Sequence, residues 1–214
     1  MKLIPISFSA VLALFTATAV ASERLPDAAA LELAAQFSRH DHYAAAFHQV
    51  VKDVDGVAID EYRGRVAISR PSKLRWDVDT PLEQSIVLEQ NYMQQYDRDL
   101  DQLTLRDLEP DSLALPKVLL QGDAESISRS FRVSSEGFAE QGNDNRSYRL
   151  EPLQEDAQFV SLSVCFVTEG LVGLTIVDEL QQVTTIEFST IDTAALPAGY
   201  FELDVSDDTD VVGP

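Results

Sequence analysis

The chain of 214 residues has one cysteine, and it has few basic residues, with 16 lysines and arginines against 36 aspartates and glutamates. The lone Cys165 excludes an intrachain disulfide. The net charge of −20 at pH 7 leaves few cations to neutralise phosphate, which argues against binding to nucleic acid or to an anionic lipid surface. It favours solubility and partner proteins with basic surfaces.

Recognisable catalytic motifs are also lacking. The sequence contains no G-x-S-x-G, no H-E-x-x-H and no glycine-rich phosphate loop. His40 and His42 flank Asp41, but this weak metal pattern is more typical of a solvated linker between a helix and a strand. Acidic pairs such as Asp97 with Asp99 fall in predicted turns. The sequence therefore favours a protein that is not an enzyme and that carries no metal or other cofactor.

Long apolar runs occur only at the start of the chain. Lys2 is followed by an almost entirely apolar or small stretch that ends at the Ala-Val-Ala sequence of residues 19–21. This pattern predicts a secretory signal peptide over residues 1–21, and hence export to the periplasm. Since no cysteine follows the predicted cleavage site, we expect no lipid anchor there. The remaining residues, 22–214, show no linker or repeat and predict a single domain.

Alternating apolar and polar residues predict an antiparallel meander with turns about every 8–12 residues, in a barrel or a sandwich. We expect about eleven strands, drawn from thirteen candidate segments. The candidate strands cover residues 44–52, 57–69, 74–80, 85–88, 92–96, 102–105, 130–134, 137–141, 147–151, 159–167, 171–177, 183–191 and 201–205. A helix is predicted over residues 26–38 with Asp27 as its N-cap. The acidic tail, residues 206–214, is predicted to be loose.

An apolar helical segment interrupts the strand pattern after Pro110. Ser112 can cap this helix and Gly122 can end it, and a second short helix is predicted over residues 123–129. The helix between Ser112 and Gly122 has an apolar side that includes Leu115, Val118 and Leu119. Two interpretations remain open, since such an insert can plug the open end of a barrel core or act as a movable lid.

The strand alternation also predicts an apolar inner face of the sheet. Leu74, Trp76 and Val78 recur with a period of two, which puts them on one face of a strand. The other candidates for this face are Ile86, Leu88, Tyr92 and Tyr96. Together with the apolar helices, these residues form either a filled core or a cavity for an apolar ligand.

Arg70 is the exception on this apolar surface. By parity it lies on the same face as Val66 and Ile68, so the strand directs a guanidinium along an apolar face. In one interpretation Arg70 ends the strand and its side chain extends to water. In the other, its five donors bond inward to a part of the protein that moves.

Residues 69–76, Ser-Arg-Pro-Ser-Lys-Leu-Arg-Trp, followed by Thr-Pro-Leu-Glu-Gln at 80–84, resemble the signature hairpin of the LolA family of outer-membrane lipoprotein carriers. Further similar stretches follow in order along the chain: residues 47–50, 64–66, 96–97, 101–105, 113–122 and 126–131. The similarity extends from the first helix to about residue 205. At the positions of Leu74 and Met93 the family often has aromatic residues, so the shape of a cavity is expected to differ here.

The resemblance implies an α+β fold, an unclosed antiparallel β-barrel covered by a lid of short helices. It implies a monomeric periplasmic chaperone that takes triacylated lipoproteins from an inner-membrane ABC transporter to an outer-membrane acceptor. Arg70 is expected to bond to the lid and to hold the empty cavity closed. The expected acyl-chain cavity residues are Leu74, Trp76, Val78, Ile86, Leu88, Tyr92, Tyr96, Leu115, Val118 and Leu119.

Two other classes of function were weighed against a carrier. A periplasmic lipid-binding regulatory sensor shares the half-barrel fold, but such sensors usually carry an additional domain, which this length does not allow. A lipid-processing enzyme would need a nucleophile with a nearby base, and no such group of residues is evident in the sequence.

Overall fold

The structure is a computed structural model, and it describes residues 27–90, 92–107, 120, 122–136, 145–154, 157 and 159–213. The predicted signal peptide lies outside these residues. The helices are α1 (Ala28–Phe37) and α2 (Ala124–Ser130). The strands are β1 (His42–Lys52), β2 (Ala58–Ser69), β3 (Lys73–Thr80), β4 (Gln84–Glu89), β5 (Tyr92–Asp97), β6 (Gln102–Asp107), β7 (Phe131–Glu136), β8 (Arg146–Pro152), β9 (Ser161–Val167), β10 (Gly170–Val177), β11 (Val183–Asp192) and β12 (Asp210–Val212).

The twelve strands form one open sheet in the order β12-β6-β5-β4-β3-β2-β1-β11-β10-β9-β8-β7. Neighbouring strands are antiparallel except β12, which pairs with β6 in parallel. The sheet does not close, since β12 and β7 remain at its two edges. This arrangement confirms the predicted mainly β fold, an unclosed antiparallel barrel with short helices. Within the described ranges, no helix has the length and apolar character needed to cross a bilayer.

Both helices pack on the inner face of the curved sheet. Asp27 caps α1 as predicted, because its carboxylate accepts a hydrogen bond of 2.8 Å from the backbone N–H of Ala30. Leu33 and Phe37 of α1 and Ile127 of α2 are almost fully buried in the same apolar cluster as the inner strand residues. The helices therefore cover the apolar face of the sheet.

The C-terminal part of the chain differs from the prediction. The expected strand at residues 201–205 is wrong, because this segment crosses the outer face of β3 without pairing as a strand. The Arg75 guanidinium donates to the carbonyls of Tyr200 and Glu202, at 2.8 and 3.1 Å, so a side chain replaces a strand partner. The tail is also more ordered than expected, since it includes β12. The predicted strand at residues 137–141 lies outside the described residues.

Candidate functional site

The register of β3 and β4 brings the predicted apolar residues together. Residues directly opposite each other in an antiparallel pair share a face, and Leu74 lies opposite Leu88 while Trp76 lies opposite Ile86. The Trp76 ring stacks on Phe47 of β1, with 4.1 Å between ring centroids. Leu74, Trp76, Val78, Ile86 and Leu88 therefore lie on one inner face.

The prediction that Tyr92 and Tyr96 share this face is wrong. Tyr92 lies opposite Glu89 and Tyr96 lies opposite Ser85, and Ser85 in turn lies opposite Asp77. All these residues alternate with the inner set, so both tyrosines are on the outer face. Alternation does not say which face of β5 meets the core, and tyrosine also suits a covered outer surface because its hydroxyl can hydrogen-bond.

Tyr96 has structural partners on that outer face. Its hydroxyl donates to the Asp101 carboxylate at 2.9 Å, and the guanidinium of Arg98 lies 5.9 Å from its ring centroid. Thr209, just before β12, donates to the same carboxylate at 2.9 Å. Tyr96 thus belongs to the network that attaches the C-terminal segment to the sheet.

Some inner residues were missing from the predicted site. Met93 lies opposite Leu88 and packs against the apolar cluster. Tyr43, Phe47 and Phe188 add three buried rings to the same face. The period-two pattern of β1 contains the first two, but the pairing of β1 with β11, which adds Phe188 opposite Phe47, joins residues far apart in the sequence.

Of the predicted helical cavity residues, Leu115, Val118 and Leu119 lie outside the described residues. Leu120 follows them directly and is 3% exposed within the apolar cluster. Gly122 has a φ of +56°, which suits the residue predicted to end this helix. A Cβ at Gly122 would lie 2.7 Å from the Cβ of Phe37, so the segment approaches α1 more closely than another residue type allows.

Arg70 joins these segments. It follows the last residue of β2, and its side chain points inward. Its Nη1 donates to the carbonyl of Leu120 at 2.8 Å, and its Nε donates to the carbonyl of His40 at 3.3 Å. The guanidinium carbon lies 5.4 Å from the ring centroid of Phe37. The inward-bonding interpretation of Arg70 therefore describes its contacts, and the solvent-directed one does not.

Burial lowers the pKa of Arg70 to about 10, and the charge of Asp41 opposes that shift. The side chain stays charged at neutral pH. One cation thus connects the end of α1, the linker before β1 and the segment before α2. Each of its hydrogen bonds to a carbonyl is worth about 1.5–3 kcal/mol, because the donor is charged.

His40 contributes its backbone carbonyl to this junction as an acceptor for Arg70, which is a structural role. In the part of the chain that the structure describes, no three histidine, cysteine, aspartate or glutamate side chains are grouped as a metal ion requires. The junction can hold segments together by charge-assisted hydrogen bonds, and the face below it can bury apolar groups.

Comparison with known proteins gives a consistent result. A model of the family described as "Outer membrane lipoprotein carrier protein LolA" matches residues 38–204. The outer-membrane lipoprotein carrier protein of Chromohalobacter salexigens is 32% identical over 181 residues, covering 84% of each chain. That of Pseudomonas entomophila is 35% identical over 170 residues, covering 78% of this chain and 80% of the other.

Among solved structures, an uncharacterized conserved protein from Thermus thermophilus matches with a TM-score of 0.54 at 12% identity, covering 86% of this chain and 96% of the other. This likeness concerns the fold alone. The family match spans most of the chain, and each of the two relatives is more than 30% identical to it over the aligned residues. The chain belongs to the LolA family of outer-membrane lipoprotein carrier proteins, which are carriers and not enzymes.

Proposed function

We propose that this protein is a monomeric periplasmic chaperone for triacylated lipoproteins. It receives them from an inner-membrane ABC transporter and delivers them to an outer-membrane acceptor. The acyl chains lie between the inner face of the sheet and the helices. The observation that carries the proposal is the partly buried Arg70, whose hydrogen bond to Leu120 attaches the helical cover to an apolar face.

The cost of exposing the cargo supports direct transfer between proteins. Each CH₂ group contributes about 0.8 kcal/mol when it leaves water. Three chains of roughly 16 carbons therefore represent on the order of 40 kcal/mol. Since free release into water is not viable at that cost, the cargo passes directly from one apolar cavity to the next.

The closed helices support a lid that opens for the cargo. The rings of Phe37 and Phe166 lie edge to face at 5.2 Å between centroids, and Leu33 is 0% exposed. Helical side chains thus occupy the apolar space above the sheet. Acyl chains enter only if the helices move, and the bonds of Arg70 set part of the free-energy difference between the closed and open states.

Trp76 supplies a direct test because it is the only tryptophan in the chain. A lipoprotein or diacyl lipid with brominated acyl chains should quench its fluorescence on binding, since Trp76 lies on the inner face. Ile86→Glu should weaken this binding by placing a carboxylate on the same face. Gln94→Glu is the matched control, because the register puts Gln94 on the outer face of β5.

The outcomes of this experiment are distinct. Binding without quenching would place the lipid elsewhere on the protein. Equal affinity of the two glutamate variants would contradict the assigned inner face.

In cells, depletion of the protein should leave outer-membrane lipoproteins at the inner membrane. Correct placement after depletion, with no paralogue present, would refute the carrier function.

A further inference from the structure

Among the residues that the structure describes, exposed aliphatic side chains are concentrated at one end of the barrel. The strand pairings put the turns after β1, β3, β5, β8 and β10 at the same end. Each of these turns carries an exposed valine or leucine. Six of these residues define the aliphatic rim: Val54 (72% exposed), Val57 (59%), Leu82 (62%), Leu100 (70%), Val160 (45%) and Leu180 (74%).

The opposite end, where Arg70 lies, differs. Its described turns, residues 70–72 and 168–169, read Arg-Pro-Ser and Thr-Glu and contain no large aliphatic residue. Single exposed aliphatic residues are ordinary on a protein surface. A run of them across five successive turns is not, because neighbouring strands lie about 4.8 Å apart and successive turns at one end are therefore only about 10 Å apart.

The turns hold these side chains in defined positions. Asp53 accepts hydrogen bonds from the backbone N–H groups of Asp55 and Val57, at 3.0 and 2.9 Å. Asp97 accepts from Leu100 at 3.1 Å, and Asp178 accepts from Gln182 at 2.8 Å. A surface that is ordered before binding loses less conformational entropy when a partner docks.

Acidic residues surround the aliphatic rim. Asp55, Asp99 and Glu179 are exposed in three of its turns, whereas Arg98 is ion-paired with Glu83 at 3.0 Å. This charge disfavours a second copy of the same chain, which would bring two acidic rims together, and it disfavours an anionic membrane. It suits a surface with lysine or arginine around an apolar centre.

We propose that the aliphatic rim docks a partner protein whose contact surface combines apolar side chains with lysine or arginine. The docking site lies at the end of the barrel away from Arg70, so a bound partner leaves the Arg70 junction free to open. The choice of partners for the test rests on the proposed function, which requires contact with a transporter and with an acceptor.

The test measures the affinity of the mature protein for the purified periplasmic domain of the transporter and for the purified acceptor. The rim variant is Val54→Ser with Leu180→Ser, which lie in adjacent turns. The matched control is Val211→Ser with Leu31→Ser, which are 56% and 54% exposed outside the rim. A charge variant, Asp55→Lys with Glu179→Lys, tests the electrostatic part. All variants should keep the melting temperature of the wild type.

We expect the rim variant to bind at least one of the two domains at least about tenfold more weakly than the wild type, and the control to bind as the wild type does. The charge variant should bind that domain more slowly, with a weaker salt dependence. Unchanged affinity of the rim variant for both domains would overturn the docking proposal alone. Failure of the wild type to bind either domain would overturn the proposed function and the docking proposal together.

Two further measurements separate other occupants of the rim. Rim-dependent sedimentation with phosphatidylcholine or phosphatidylglycerol vesicles would overturn the proposal in favour of a membrane surface. Rim-dependent self-association in analytical ultracentrifugation would overturn it in favour of a second copy. Wild-type protein that stays monomeric and unbound to both kinds of vesicle supports a protein partner.

Discussion

At the scale of single residues, the guanidinium of Arg70 contacts parts of the chain that are far apart in sequence. Leu120 and His40 supply carbonyl acceptors and Phe37 supplies a ring. Because the guanidinium is partly buried, its removal leaves the carbonyls of His40 and Leu120 without this donor and leaves the apolar face uncharged. Its effect should therefore appear in the equilibrium between closed and open helices more than in the fold of the sheet.

Arg70→Leu should accept lipoprotein but transfer it poorly, because the closed state loses charged hydrogen bonds and the inner face gains an apolar side chain. Each lost bond is worth about 1.5–3 kcal/mol, which is one to two decades in the lid equilibrium. Arg70→Lys should have a smaller effect, since it keeps the charge but loses the planar fork. The measurement is the fraction of carrier isolated from the periplasm with bound cargo.

Arg65→Leu is the control for this prediction, because Arg65 lies in β2, which Arg70 directly follows, and has a largely exposed side chain 3.5 Å from Asp79. Exposed ion pairs contribute about 0–1 kcal/mol. If Arg70→Leu, Arg70→Lys and Arg65→Leu all load and transfer lipoprotein as the wild type does, the Arg70 junction has no part in loading or transfer.

At the scale of elements, the short α2 depends on its cap and on packing. Asp123 accepts a hydrogen bond of 2.8 Å from the backbone N–H of Ser126. Partial burial raises the pKa of Asp123, but the hydrogen bonds from Ser126 and the charge of Arg129 lower it more, so the net pKa is lowered. A seven-residue helix is not stable alone, so the loss of this cap should loosen the cover.

Asp123→Ala should destabilise α2 by about 1 kcal/mol, the usual value of an N-cap. Because the pKa is lowered in the folded state, the stabilisation is complete above the ordinary pKa of aspartate and is lost as the pH falls through the lowered value. Hydrogen exchange at Ser126 and Ile127 measures both effects.

In the wild type, hydrogen exchange corrected for its intrinsic pH dependence should accelerate on acidification. In Asp123→Ala, the corrected exchange should already be faster at neutral pH and should respond less to acid. Asp27→Ala, which removes the matching cap of α1, should leave the acid response of α2 in place. An unchanged acid response in Asp123→Ala would contradict the role given to this carboxylate.

At the scale of the whole molecule, the net charge and the predicted export both concern how the carrier stays in solution. A protein with a net charge of −20 repels copies of itself and anionic lipid. This charge opposes self-association of a carrier whose inner face is apolar. Export to the periplasm and the signal peptide that it requires remain predictions from the first 21 residues.

Protein purified from the periplasm should begin at Ser22, after the Ala-Val-Ala site of residues 19–21. Intact mass and N-terminal sequencing measure this directly. Substitution of Ala21 by a bulky residue should block cleavage and keep the protein at the inner membrane. A mature protein that retains its first residues would refute the predicted signal peptide.

Local pattern was sufficient for most of the described strands and for the faces of two sets of residues. The alternation of β3 placed Leu74, Trp76 and Val78 on one face, and parity placed Arg70 on the face of Val66 and Ile68. Both follow from the period of two along a strand, which is a property of adjacent residues. The N-caps Asp27 and Asp123 follow from equally local hydrogen bonds.

The order of the strands and the face of β5 needed the tertiary structure. Alternation divides Tyr92, Met93 and Tyr96 into two sets, but it does not say which set meets the core, and a shift of one residue exchanges them. The register of β5 with β4 decided that Met93 faces inward.

Three features of this protein were decided only by long-range contacts. The path of the C-terminal segment depends on Arg75, 125 residues before Tyr200. The acceptor of Arg70 is a carbonyl 50 residues away, and the aliphatic rim exists because pairing brings separate turns to one end. The sequence alone determined the charge, the family, the strand alternation and the face on which Arg70 lies, because these reside in single residues or their neighbours. Contacts between distant segments depend on how the whole sheet curves and packs, which local pattern does not encode.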